Sequence, residues 1–225
     1  MTFSESPLDR TVQRLTAGLE PVRKLRAPGL RAATWLSIVV AAGLALASIA
    51  DVDAVADRLA GTGDLALSSV GSVLTTALAA VATLKLATPD GAPGWALLPL
   101  PALGLWLSGS IASGARTWGV PPDLGDAAPD VRVCFTLIVA FSLPLALVLA
   151  RMVRRGFPLR PGLTSVVGGL TAAAGGATLL AIVHPYDATA RDIAVHAAAV
   201  GLVVAANALL ADRLWRAAGD RRTSW

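Results

Sequence analysis

Six separate runs of this chain contain no Asp, Glu, Lys or Arg over 18 to 22 residues: Ala32–Ala50, Leu65–Leu84, Trp95–Ala115, Val133–Ala150, Gly162–Val183 and Ile193–Ala211. A helix needs about 20 apolar residues to cross a hydrocarbon core of about 30 Å. The runs have that length, and together they take 119 of the 225 residues. They are about twice as long as a barrel strand and show no alternation, so helices are the spanning form they specify. Composition agrees: 55% of residues are hydrophobic and only 15% charged, against about 25% charged in soluble domains. The expectation is an all-α integral membrane bundle of six transmembrane helices.

The remaining residues set further limits. The chain divides into an N-terminal segment at 1–31, the membrane domain at 32–211 and a basic tail at 212–225. None of the five loops is long enough for a soluble catalytic domain. No nucleophile–base set or buried acid pair is visible, so no enzyme is expected. Cys134 is the only cysteine, which excludes an intramolecular disulfide and every Cys-paired zinc motif.

Lysine and arginine positions predict the orientation. The N-terminus, the second and fourth loops and the C-terminus hold 15 basic residues, and the other three loops hold 4. By the positive-inside rule both termini are cytoplasmic. The net charge of +4 and pI near 10.2 then describe membrane anchors, with no direct nucleic-acid contact expected.

The N-terminal segment carries its own pattern. Ser6 is placed to cap a helix, Pro7 fits its first turn, and Asp9 puts negative charge at the positive end of the dipole. Leu8, Val12, Leu15 and Leu19 recur at helical spacing on one face, with Gly18 and Pro21 bounding the helix. Arg23, Lys24, Arg26 and Arg31 follow, with Leu25 among them, and lead into the first span. Such a helix either rests on the bilayer with basic anchors or offers its apolar stripe to a cytoplasmic protein.

Inside the spans the pattern reads as packing. Ser68, Ser72 and Thr76 share a face of the second span, and Gly104, Ser108 and Ala112 one of the third. The fifth carries Ser165, Gly168, Gly169, Ala172 and Gly176 at the spacing that lets backbones approach. Pro99, Pro101 and Pro144 are expected to kink the third and fourth spans, and Asn207 to bond between helices. No charge lies in mid-span, which counts against a small transporter or channel subunit, the competing class.

Ionisable and soft groups gather at the ends of the last three spans facing away from the termini. Cys134 opens the fourth. His184 and Asp187 lie in the turn leaving the fifth, and Asp192 and His196 stand four apart entering the sixth. Cys134, His184, Asp187 and His196 are one conceivable ligand set for a soft or borderline cation such as Cu, Zn or Cd. The alternative is a hydrogen-bonded turn beside a small buried thiol.

Several segments taken together resemble a family. Leu19-Glu20-Pro21-Val22-Arg23-Lys24-Leu25-Arg26-Ala27-Pro28 before the first span is similar to the corresponding stretch of NrsF-like anti-sigma factors. Trp95-Ala96-Leu97-Leu98-Pro99-Leu100-Pro101, Cys134-Phe135, Arg154-Arg155-Gly156 and Leu159-Arg160-Pro161-Gly162 follow in the family's order. The resemblance covers nearly the whole chain. It implies a six-helix protein of the bacterial inner membrane whose N-terminal segment restrains a cytoplasmic extracytoplasmic-function sigma factor. It also implies that outer-face cysteines sense heavy metal or oxidative stress. Family members often carry a His-Cys-Pro turn after the fifth span, and alignment on Pro185 puts His184 where that Cys would be. With Cys134 as the sole thiol, either a metal bound by Cys and His carries the signal, or Cys134 pairs between two copies in a homo-oligomer, or sensing is altered.

Overall fold

The computed structural model describes residues 6–18, 25–118, 131–183 and 190–220. All regular structure among them is helical: α1 Pro7–Thr16, α2 Pro28–Ala47, α3 Val52–Gly61, α4 Gly63–Leu86, a 3-10 turn Pro93–Leu97, α5 Leu100–Thr117, α6 Val131–Arg154, α7 Pro161–Val183 and α8 Ala190–Asp220. Six stretches are long and apolar enough to cross a membrane, one in each of α2, α4, α6, α7 and α8, and one running from Pro93 through α5. They coincide with the six uncharged runs of the sequence.

Helix α7 is the centre of the bundle, packing on α4, α6, α8 and α2, while α5 flanks α4. Its buried residues are mostly Gly, Ala and Thr. A Cβ on Gly169 would stand 2.8 Å from Val204 Cα of α8, and one on Gly176 would stand 2.2 Å from Ser142 Oγ of α6. Close approach between backbones holds such helices together in lipid, where apolar burial gives no preference for a neighbouring helix. Hydroxyl pairs add to it: Thr83 and Thr171 lie 3.0 Å apart, and Thr76 and Thr178 3.3 Å. Trp35 is fully buried and donates its indole N–H to the Leu145 carbonyl at 3.1 Å.

Four local expectations need correction. Gly104, Ser108 and Ala112 are exposed, and α5 instead buries Ala102, Gly109 and Ser113. A Cβ at Gly109 would lie 2.5 Å from Ser68 N, so this glycine fixes the rotation of α5 against α4. Pro99 caps α5 and Pro101 sits in its first turn, where a missing N–H costs nothing. They start the helix and do not kink it; only Pro144 lies inside one. Asn207 donates to Val203 O of its own helix at 2.9 Å, not to a neighbour. The first loop, read as irregular, contains α3, whose Asp51 caps Ala54 N at 3.0 Å.

Candidate functional site

Two regions hold the residues singled out in the sequence. The first is α1. Ser6 Oγ accepts from Asp9 N and Asp9 Oδ2 accepts from Ser6 N, both at 3.1 Å, closing a reciprocal capping box. Hydrogen bonding of the Asp9 carboxyl to Ser6, to its hydroxyl first and its backbone N–H second, holds that carboxyl below its ordinary pKa. Pro7 occupies the first turn as expected. Leu8, Val12 and Leu15 fall on one face and are 72%, 50% and 71% exposed, and α1 buries none of its residues. The helix ends at Thr16, so Leu19 lies beyond it. Leu19, Pro21, Arg23 and Lys24 are outside the described residues; Leu25 and Arg26 follow as exposed, non-helical chain.

The second region is the end of the bundle away from the termini. Cys134 is 2% exposed and packs with Ile138, Leu180 and Ala199, with Phe135 and Val183 against them. His196 lines a cavity of about 390 Å³ with Arg58, Ser68, Trp106 and Thr178, and Leu180 borders both this cavity and the Cys134 cluster. Of its lining hydroxyls, Ser68 pairs with Ser110 at 2.9 Å and Thr178 donates to Ala174 O at 2.8 Å. His184 and Asp187 are outside the described residues. Among the described residues no three His, Cys, Asp or Glu side chains stand together as a metal site. Cys134 and His196 alone do not compose one.

Sequence reasoning passed over one residue. Arg31 belongs to the basic run, where a side chain reaching water is the simple expectation. Instead it is 6% exposed and donates through Nη2 to the Met152 carbonyl at the end of α6. Only its position, one turn inside the first span, distinguishes it from Arg26.

Six helices long and apolar enough to span, preceded by a capped helix with an exposed apolar face, define a multi-pass membrane protein. The chain belongs to the NrsF family, negative regulator of sigma F, whose model matches residues 15–216. Neither the curated proteins nor the solved structures offer a match.

Proposed function

We propose that this protein holds an extracytoplasmic-function sigma factor against the inner face of the bacterial inner membrane and releases it on an outer-face signal. Membership of a family of negative regulators of a sigma factor makes a sigma factor the partner. The observation that carries the mode of binding is the face of α1: three large apolar side chains aligned, exposed and unused by the bundle. Leu8, Val12 and Leu15 dock on the sigma factor and cover surface it needs for RNA polymerase. Leu19 and the basic run Arg23, Lys24 and Arg26 extend the contact. The 15-to-4 distribution of basic residues supports termini in the cytoplasm, where such a partner resides.

The signal is metal or oxidant at the opposite face, acting on Cys134 with His184, Asp187 and His196. Helices α6, α7 and α8, which begin or end there, pack on one another through the bundle. A change at their outer ends reaches the cytoplasmic ends only by favouring one packing arrangement over another.

A pull-down from membranes tests the partner and its site together. Wild type retains the sigma factor, and the Leu8→Asp, Leu15→Asp double variant loses it while still inserting. Retention by an inserted double variant would place the contact elsewhere. For the signal, Cys134→Ser and His184→Ala are compared with wild type under copper, zinc, cadmium or peroxide, with a sigma-dependent promoter as readout. Unchanged induction in both, at equal protein levels, removes these residues from sensing.

A further inference from the structure

The end of the bundle that bears the termini contains a second, differently built site, centred on Arg31. This guanidinium is almost wholly buried, yet Nη1 has no hydrogen-bond partner among the described residues. It lines an open cleft of about 830 Å³ together with Arg26, Arg154, Arg155, Met152 and Phe157, and no acidic residue lines it among the described residues. Four cations thus converge on one space without a counter-charge among the described residues that form it. The start of α2 adds to the field: Ala27 gives no side-chain cap and the first turn carries no acid, so unbonded N–H groups leave a partial positive charge there.

The turn that follows Arg154 at the end of α6 and carries Arg155 is held in place. A Cβ at Gly156 would lie 2.1 Å from the Ala87 carbonyl at the end of α4, so only glycine allows that approach. Phe157 then adopts φ 52°, left-handed for a non-glycine residue, and its ring stands 64% exposed. Leu25, 44% exposed, lines the same cleft, and Leu159, 75% exposed, follows in the loop.

We propose that this cleft binds the phosphate headgroup of an anionic phospholipid. Guanidinium groups pair with phosphate oxygens through two parallel N–H bonds, and such a group completes the bonding of Arg31. The cleft lies where the spans α2 and α6 end, at the depth of the headgroups. Exposed Leu25 and Phe157 beside the cations suit a molecule with both an anion and an acyl chain. Basic pockets between spanning helices on the cytoplasmic side are where such headgroups are held.

Native mass spectrometry and thermal scans of the full-length protein test this. The probes are vesicles of phosphatidylcholine alone, vesicles of phosphatidylcholine and phosphatidylglycerol in equal parts, and inorganic phosphate. Wild type should keep phosphatidylglycerol through detergent extraction and melt higher with it. The Arg154→Gln, Arg155→Gln variant alters exposed residues at the end of α6 and should bind phosphatidylglycerol about thirtyfold more weakly. Arg31→Met should lose the lipid as well, without a lower melting temperature in phosphatidylcholine. Equal retention of the two lipids by wild type, or undiminished retention by both variants, would overturn the proposal. So would a full thermal shift from inorganic phosphate alone. Variants that keep the lipid but release the sigma factor would instead assign the arginines to an acidic surface of that protein.

Discussion

Helices α1 and α7 make opposite use of their side chains. Helix α1 concentrates Leu8, Val12 and Leu15 on one face and buries nothing. Helix α7 carries no charge and buries twelve of its 23 residues, chiefly Gly, Ala and Thr. In water, an apolar stripe gains free energy from any surface that covers it, at about 25 cal/mol per Å². In lipid the surroundings are as apolar as the partner, so large side chains give no preference and small ones that let backbones touch decide the contact. A pronounced stripe therefore marks a part of this chain whose apolar face is left for a surface outside the bundle, and the absence of one marks the part that holds the bundle together.

The largest separation of the two comes from Leu8→Asp with Leu15→Asp. Affinity for the sigma factor should fall by about two to four decades, at about 1.5–3 kcal/mol for each buried leucine. The melting temperature of the bundle should not change. A joint loss of binding and melting temperature would break the division.

Gly176→Leu should do the reverse. Its side chain meets Ser142 Oγ and the Ile138 carbonyl, and overpacking of this kind costs about 1–3 kcal/mol. Thermal scans in detergent should show the loss, while Gly18→Ala, with open space around its Cβ, should be silent.

Ser6→Ala should weaken α1 by about 1 kcal/mol through loss of its cap, read as faster hydrogen exchange at the amides of Asp9 and Arg10 in the intact protein. Acid acts on the same bonds. Because the Asp9 carboxyl is held below its ordinary value of 3.8, its contribution is complete above that pH and disappears as pH falls through the lowered one. Asp9→Asn should remove this acid dependence. The smallest effect sharpens the account of α7: a double-mutant cycle of Thr83→Val and Thr171→Val should give a coupling of about 0.6 kcal/mol.

Much of this was legible before the structure, and the misses share a cause. The six spans follow from length and the exclusion of charge, and α1 from its cap and spacing, both strong signals in water. The rotation of α5 was misread because Gly104, Ser108 and Ala112 carry the same small-residue spacing as the true contact face. Only the approach of Gly109 to Ser68 separates the two faces, and that depends on a second helix. Helix α3 was missed because its ten residues, three of them charged, resemble an exposed loop. Of the apolar face of α1, Leu8, Val12 and Leu15 were readable from their spacing, while Leu19 lies beyond the end of the helix at Thr16. Cys134 lies in the first turn of α6 and His196 in the second turn of α8, as the spans predicted, while the burial of Cys134 against Ile138, Leu180 and Ala199 depends on packing that sequence spacing does not encode. Arg31 was hidden because burial of an arginine depends on where α6 ends.

The gap between α1 and the membrane domain sets a leash. Eleven residues separate Thr16 from Pro28, and at full extension they reach at most about 40 Å. A protein gripped by α1 is therefore confined to a shell at the membrane surface, thinner than many globular domains are wide. There its search for new partners runs across a plane. Lengthening the leash would relax confinement without touching a single contact, which makes linker length a control on regulation separate from affinity.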